Sequence, residues 1–554
     1  MSQLFIMKRK EHNLFMQAGI LAAAGIIVRI IGLLYGSPLT GIIGDEGNGY
    51  YSQAYNCYAI MLLISSYSIP SAISKVIAQR LGTGEYRNAQ RIFHCALIYV
   101  FIIGTAFSLL LYFGAGFFVA GNSVPVLKVF APTIFFFGIL GVLRGYFQAQ
   151  KTMIPTSVSQ ILEQIMNAAI SLLAAYLFIM MVSGEDETTR AIYGAMGSAV
   201  GTGSGVITAL VFMTFVYFRH RKSTFELIES DTHRKDSHKS IFKTIILVVT
   251  PFILSTFIYN FTTMLDQTIF TNILIGVKGI AEKDVSTAYG IFSRKAVVIS
   301  NIPIAIASAM SSAMMPSIAS SFARGEKTKT GETVKKVIRM TMLIAIPSAV
   351  GLMFLCKPIT FILYPQRNSL TEASILLAGL SITVVFYSLS TVTNAVLQGI
   401  GRLNVPVVNA LMSLIVQGAV LFLLLQYTDI GNFALVIALI IYSFLMCVLN
   451  GMQVRKSLPY KTDIKVTYWI PFASSLIMGE TSYVLYRLLN FAFNRFIPSN
   501  YFANLFATAI SLIVAVIIYA FCMIQLGGTG EEELLGLPKG AKIVSVLKKF
   551  RMLK

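Results

Sequence analysis

The chain has 554 residues, of which 56% are hydrophobic and only 12% are charged. An average soluble protein carries about 25% charged residues, so lipid rather than water is the expected solvent for most of this chain. The net charge of +20 would suit a nucleic-acid-binding protein, but the Lys and Arg residues are dispersed over many short segments. Composition therefore predicts an integral membrane protein and argues against nucleic acid as a partner.

The sequence carries no signature of a bound cofactor. The five cysteines lie far apart and form no C-x-x-C pair, so neither a metal site nor a disulfide framework is expected. A phosphate-binding G-x-x-x-x-G-K-[ST] loop and an H-E-x-x-H zinc motif are both missing. We therefore expect no cofactor and no catalytic residues.

Hydropathy predicts an all-α membrane protein with about fourteen spanning helices, since a span needs roughly 20 mostly apolar residues. The first apolar run is too long for a signal peptide and has no cleavage site after it, so it counts as a span. The predicted spans, numbered 1 to 14, are 14–35, 49–70, 92–119, 124–148, 154–183, 191–218, 243–272, 286–316, 335–356, 370–397, 404–426, 431–453, 466–489 and 501–525.

The connecting segments alternate in charge. Of the 44 Lys and Arg residues, 33 lie in the tails or in the loops on their side, eight lie on the opposite side, and three lie inside spans. Cytoplasmic loops carry the excess of positive charge in membrane proteins, and they face anionic lipid. Both chain ends are therefore predicted to be cytoplasmic, with anionic membrane lipids as partners.

Two pairs of similar segments indicate an internal repeat. Residues 144–155 (RGYFQAQKTMIP) resemble 394–406 (NAVLQGIGRLNVP), and 69–85 (IPSAISKVIAQRLGTGE) resemble 315–326 (MPSIASSFARGE). All four lie at predicted cytoplasmic ends, so the repeat is parallel rather than inverted. The predicted organisation is an N-lobe (1–220, spans 1 to 6), a cytoplasmic linker (221–242), a C-lobe (243–456, spans 7 to 12), spans 13 and 14 (457–526) and a cytoplasmic tail (527–554).

Four charged residues stand out within the predicted spans: Arg29, Glu163, Asp266 and Arg294. Each lies on a stripe of small or polar residues at helical spacing, and charges inside a membrane usually face a cavity or a partner. The helix directions put Arg29, Asp266 and Arg294 in the outer half of the bilayer, where they predict an anion site between the lobes. Its natural ligand is phosphate, which guanidinium binds with two parallel hydrogen bonds. The alternative is a structural ion pair of Asp266 with one of the two arginines.

Four further basic residues ring the predicted cytoplasmic end of the N-lobe: Lys75, Arg80, Arg144 and Lys151. They could capture an anionic headgroup, and of these we take Lys75 as a candidate substrate-binding residue. The alternative is the ordinary excess of positive charge on cytoplasmic loops.

The pattern resembles the lipid-linked oligosaccharide and polysaccharide exporters of the multidrug/oligosaccharidyl-lipid/polysaccharide superfamily, in particular the branch of MurJ and stage V sporulation protein B. The residues that carry the resemblance are VRIIGLLYGSPLTGIIGDEGNGYYSQAYN in spans 1 and 2, SIPSAISKVIA after span 2, and AYGIFSRKAVVISNIPIAIASAMSSAMMPSIASSFARGE in span 8. The resemblance implies two six-helix lobes, a lipid-tail groove at spans 13 and 14, and essential arginines at Arg29 and Arg294. A second family arginine is replaced by Tyr35, and a third corresponds to Lys75 or a nearby serine.

The function implied by this resemblance is that of a flippase. It would move an undecaprenyl-diphosphate-linked saccharide, lipid II or a related precursor of the cell wall, across the membrane by alternating access. The membrane potential could drive the cycle, and coupling to Na⁺ or H⁺ through Asp266 or Glu163 stays open. Three alternatives remain: a cation-coupled multidrug exporter, an integral membrane enzyme, and a scaffold that associates with cell-wall synthesis proteins.

The charge asymmetry makes a direct prediction about topology. A single cysteine placed at Asp186, in the predicted outer loop 184–190, should react with a membrane-impermeant thiol reagent in intact cells. A cysteine at Asp236, in the predicted cytoplasmic linker, should react only after the cells are opened. Labelling at position 236 together with protection at position 186 would invert the predicted topology.

Overall fold

The structure is a computed structural model that describes residues 2–67, 69–150, 152–460 and 462–528. Side chains are described from residue 20 onward, except at 22, 67, 221–228, 248–260, 312, 313 and 316. Over these ranges the chain is helical and contains no β-strand, which confirms the predicted all-α fold. Lys151 and the tail from residue 529 lie outside the described residues.

Seventeen α-helices follow one another in the described part of the chain, and four short π-helical turns extend or interrupt them. The π-helical turns are Leu63–Tyr67, Asn272–Val277, Ile291–Ala296 and Lys465–Trp469. The α-helices are α1 (Ser2–Leu62), α2 (Ile69–Gly82), α3 (Tyr86–Phe113), α4 (Ala115–Phe118), α5 (Ser123–Ala149), α6 (Ile154–Met181), α7 (Glu187–Glu229), α8 (His238–Thr271), α9 (Glu282–Gly290), α10 (Val297–Ala323), α11 (Lys327–Phe354), α12 (Cys356–Leu363), α13 (Leu370–Gly399), α14 (Asn404–Tyr427), α15 (Phe433–Ser457), α16 (Ile470–Phe496) and α17 (Asn500–Gln525).

The helices suit a membrane both in length and in surface. Among the described residues, eleven helical stretches are long and apolar enough to cross a bilayer, and the first of them, Ala23–Gly82, covers two predicted spans. Large apolar side chains are exposed on the outside, for example Phe113 at 79% and Val516 at 68%. Hydrocarbon solvates such surfaces better than water does. The chain is therefore an integral membrane protein, and the total of fourteen crossings stays a prediction.

The predicted loop at 36–48 is much shorter than expected, because α1 consists of two helices that meet at a break at Gly44. The helix is interrupted only at Gly44, whose φ of 71° and ψ of 179° break the helical geometry. Glycine adopts this backbone at little cost because it has no Cβ. The polar letters of this segment indicated a loop, but many of its side chains, Leu39 and Ile43 among them, are buried in the protein.

The chain folds into two compact units, residues 1–290 and 291–554. In the first unit, buried side chains such as Ile73, Phe93 and Val142 join α2, α3 and α5 into one apolar core. In the second unit, Val337 of α11 and Val396 of α13 belong to another. The units divide inside predicted span 8 and not at the linker, because α8 and α9 pack on α1. The lobes drawn from the sequence repeat stay a prediction.

The repeated segments adopt the same backbone geometry. Gly84 and Gly325 have φ angles of 79° and 77°, and each is followed by a glutamate that precedes the next helix. The N–H of Glu85 donates to the carbonyl of Arg80 at 2.9 Å, and the N–H of Glu326 donates to that of Ser321 at 3.1 Å. Both bonds span five residues. The two similar segments therefore form the same type of turn.

Within the predicted linker, α7 extends to Glu229 and α8 begins at His238, which leaves residues 230–237 between the two helices. The segment between them is held in place by Asp231, whose carboxylate accepts the backbone N–H of Arg87 at 2.7 Å and that of His233 at 2.8 Å. These two bonds lower the pKa of Asp231 to about 2. Hydrogen bonds to a carboxylate favour its charged form, so the anchor holds at neutral pH and weakens as the pH falls from about 4 toward 2.

Candidate functional site

A buried polar cluster joins three helices of the first unit at their predicted outer ends. We call it the outer seam, and it consists of Gln53 and Asn56 of α1, Gln267 of α8, and Ser286 and Tyr289 of α9. It connects predicted span 2 of the N-lobe with predicted spans 7 and 8 of the C-lobe.

The hydrogen bonds of the outer seam run across helices rather than along them. The amide of Asn56 donates to Gln267 Oε1 and to Tyr289 Oη, each at 2.8 Å. Gln53 donates to Ser286 Oγ at 3.2 Å, and the backbone carbonyl of Gln53 accepts from Gln267 Nε2 at 3.1 Å. Four of the five side chains are at most 5% exposed. In such surroundings an unpaired amide is costly, so these bonds hold the helices together.

Two glycines allow α1 and α9 to approach this closely. A Cβ at Gly49 would collide with the backbone carbonyl of Ser286, and a Cβ at Gly290 would collide with that of Asp45. Small residues that bring backbones together are typical of helix contacts in membranes. The outer seam therefore depends on shape as well as on hydrogen bonds.

Charged residues surround the outer seam. Tyr50 donates to Glu46 Oε1 at 3.0 Å and accepts from Asn122 at 3.1 Å. Lys283 Nζ lies 2.7 Å from Glu187 Oε2 and 3.7 Å from Glu46 Oε2. These pairs link α1, α5, α7 and α9 around the buried amides.

Arg29 and Asp266 lie in the first unit but in different surroundings. Asp266 precedes Gln267 of the outer seam and is 4% exposed. The Arg29 side chain is exposed and forms no hydrogen bond or ion pair with a described residue. The alternative of a structural Arg29–Asp266 ion pair is therefore not realised in this structure. One turn after Arg29, Gly32 faces Gln164 of α6.

Arg294 belongs to the second unit, in the π-helical turn Ile291–Ala296, and is half-buried. Such turns are frequent at functional sites. Its neighbour Lys295 is only 1% exposed and donates to Ser369 Oγ at 2.6 Å, with Nζ 6.0 Å from the ring centroid of Tyr364. The sequence singled out Arg294 and passed over Lys295, since two adjacent cations in a helix do not reveal which one is buried.

The remaining candidates divide into paired and unpaired side chains. Glu163 is bound by Arg144 at 2.7 Å, and Arg144, 6% exposed, also donates to Ser159 Oγ at 2.9 Å. Lys75 is exposed on α2 and forms no ion pair with a described residue. From the sequence, Glu163 was assigned to the charges within the spans and Arg144 to the basic residues at the cytoplasmic end, although the two form one ion pair. Within the described ranges, no group of three His, Cys, Asp or Glu residues could hold a metal ion.

A family model described as "Polysaccharide biosynthesis protein" matches residues 14–322, more than half of the chain. The chain belongs to the polysaccharide biosynthesis protein family. A second model, MatE, matches residues 251–423. Family membership confirms the resemblance drawn from spans 1, 2 and 8.

Curated relatives and a solved structure agree with this membership. The chain is 24% identical over 480 residues to "Stage V sporulation protein B" of Bacillus subtilis (strain 168), covering 85% of this chain and 89% of the relative. It is 24% identical over 539 residues to "Lipid II flippase MurJ" of the same organism, covering 92% and 94%. The structure "Lipid II flippase MurJ, inward closed conformation" superposes with a TM-score of 0.62 at 14% identity, covering 91% and 97%. At that identity the superposition shows the fold alone.

The outer seam makes a prediction about access from outside. Gly49→Ala should force α1 away from Ser286, so a cysteine introduced as Ser286→Cys should gain reactivity with an impermeant thiol reagent. Gly25→Ala is the matched control, because a Cβ at Gly25 meets no atom within 4 Å. Equal protection of the reporter cysteine in both backgrounds would show that the outer seam does not close this end.

Proposed function

We propose that the protein is a flippase for an undecaprenyl-diphosphate-linked saccharide, lipid II or a related glycan precursor, and that it works by alternating access. The observation that carries this proposal is Arg29, an exposed arginine within a membrane span that forms no ion pair with a described residue. Charged groups in the membrane are retained where they face a cavity or a ligand. Family membership and the MurJ and stage V sporulation protein B relatives support the same substrate class.

The chemistry of the substrate explains why arginine is needed. A diphosphate and its sugars would lose their hydrogen bonds with water in hydrocarbon, and a polar cavity would replace them. Guanidinium offers two parallel N–H donors to phosphate oxygens. In this proposal Arg29 and Arg294 bind the diphosphate, Lys75 attracts the headgroup at the cytoplasmic face, and Asp266 moderates the positive charge.

The outer seam supports the conformational part of the proposal. It holds predicted spans 2, 7 and 8 together at their outer ends, and in this proposal it has to open before the substrate can leave toward the outside. Opening it would require the exchange of the Asn56 bonds for other partners. The membrane potential, worth about 2.3 kcal/mol per charge per 100 mV, would favour outward movement of an anionic headgroup and inward return of an empty cationic cavity. Neither step needs ATP.

The MatE match favours a second candidate, a cation-coupled multidrug exporter of the same superfamily. Such a protein would bind cationic compounds through acidic groups. The four charged residues singled out within the predicted spans are two arginines and two acids. One of the acids, Glu163, is already paired with Arg144. These observations support the saccharide flippase over the drug exporter.

The two arginines give the test of this proposal. Arg29→Ala and Arg294→Ala should each abolish complementation of a flippase-deficient bacterial strain, while the proteins reach the membrane at normal levels. Arg29→Lys and Arg294→Lys should restore part of the activity, because an ammonium group keeps the charge and loses the two parallel bonds. Arg190→Ala, in a predicted outer loop, is the matched control and should complement fully.

Double variants separate substrate binding from ion pairing. If Arg294 served only to neutralise Asp266, the Arg294→Ala, Asp266→Ala protein would complement again, since removing one partner of a buried pair typically costs about 3–5 kcal/mol and removing both does not. An active double variant would rule out Arg294 as a required phosphate ligand. An active Arg29→Ala protein would do the same for Arg29.

A further inference from the structure

A cavity of about 880 Å³ lies in the second unit. It opens between the end of α11, the start of α12 and the later turns of α16. We call it the α16 cavity, and its polar lining residues include Lys357, Tyr483, Arg487, Asn490 and Asn494. No Asp or Glu is among the described residues that line it.

The two cations of the α16 cavity have no acidic partner. Lys357 and Arg487 are exposed, and neither forms an ion pair with a described residue. The guanidinium of Arg487 lies 5.9 Å from the ring centroid of Tyr483, which favours its position at the cavity wall. Only eight of the 44 Lys and Arg residues fall on the predicted outer side, and these are two of them. Positive charge is usually in excess on the cytoplasmic side, so the cytoplasmic excess does not explain these two cations, and an anionic ligand would.

The cavity also offers a hydrogen-bond acceptor. Asn490 Oδ1 is buried and receives no hydrogen bond in the structure. A phosphate group cannot satisfy it, because phosphate oxygens are acceptors too. A ligand that combines a phosphate with a hydroxyl group would satisfy both the cations and Asn490.

The surroundings of the cavity are apolar. On the same helix, Val484 is 52% exposed, Leu488 is 65% exposed and Phe491 is 63% exposed. Met353, which lines the cavity from α11, is 58% exposed. A ligand in this cavity would therefore have acyl chains that continue along an exposed apolar surface.

We propose that the α16 cavity binds the headgroup of an anionic glycerophospholipid of the phosphatidylglycerol type, in the leaflet at the predicted outer end of α16. The phosphate lies between Lys357 and Arg487, and a glycerol hydroxyl donates to Asn490 Oδ1. The wall behind it is fixed by Tyr486, which donates to Asn504 Oδ1 at 2.7 Å, while Asn504 donates to the carbonyl of Pro358 at 3.2 Å. α16 is predicted span 13, where the family resemblance implies a groove for the substrate's lipid tail, so the test has to separate a phospholipid from an undecaprenyl lipid.

Native mass spectrometry of the purified full-length protein tests the site. Phosphatidylglycerol and phosphatidylcholine with identical acyl chains are added separately to the wild type and to Lys357→Gln, Arg487→Gln and the double variant. We expect the wild type to retain phosphatidylglycerol in preference, with an apparent affinity that falls about tenfold for each cation removed. Arg487→Lys should keep part of the affinity and guards against loss through misfolding.

Arg495→Gln is the matched control, because Arg495 lies on the same helix, stacks on Phe491 at 4.4 Å, and is not among the lining residues. Asn490→Leu should reduce the affinity for phosphatidylglycerol and leave that for phosphatidylmethanol, a phosphodiester without a headgroup hydroxyl, unchanged. The proposal is overturned if Arg495→Gln loses as much affinity as Arg487→Gln, or if the double variant binds like the wild type. Retention of undecaprenyl phosphate without retention of phosphatidylglycerol would overturn the phospholipid assignment.

Discussion

Hydrogen bonds that are buried away from water control how this protein is built. The side-chain amide of Asn56 donates to Gln267 Oε1 and to Tyr289 Oη, each at 2.8 Å. In hydrocarbon no water is present to replace these bonds. The same constraint keeps the described backbone in helices and pairs Arg144 with Glu163 at 2.7 Å. Against this background Arg29 is an arginine within a predicted span that is exposed and forms no ion pair with a described residue, and the proposed diphosphate ligand would account for it.

The constraint also relates structure to movement. The bonds of the outer seam are made between helices, so in the proposed transport cycle α1, α8 and α9 separate only if these bonds break together. The compact units divide after Gly290, where α9 passes into a π-helical turn that carries Arg294 and the buried Lys295. A change of helical geometry at that turn would move one end of predicted span 8 relative to the other. In this account, substrate binding and opening of the outer seam involve the same helix.

The sequence predicted most of the helices because a 20-residue apolar run has few other solutions in a membrane. It also found the repeat, and the φ angles of Gly84 and Gly325 give that repeat a physical meaning. It failed at residues 36–48, where polar letters indicated a loop although only Gly44 leaves the helix. Polarity was a poor guide there, because polar side chains of this segment are buried and paired: Asn48 is 1% exposed and donates to Thr40 Oγ1 at 2.9 Å.

The candidate site was harder to predict than the fold. Helical spacing places Glu163 on a polar stripe but does not show that Arg144, on the preceding helix, reaches it. Arg294 and Lys295 are adjacent in a π-helical turn, and the sequence alone does not show that Lys295 is the one that is buried. The amides of the outer seam could not be picked out from the sequence either, because only the packing of α1, α8 and α9 brings them together.

The central claim is that this chain moves a lipid-linked saccharide between leaflets. The most direct measurement uses vesicles that contain the purified protein and a fluorescent undecaprenyl-diphosphate saccharide, with an impermeant quencher added outside. The account predicts that fluorescence from the inner leaflet is lost progressively with the wild type and stays protected with Arg29→Ala. Protection with the wild type equal to that in protein-free vesicles, under an applied membrane potential, would contradict it.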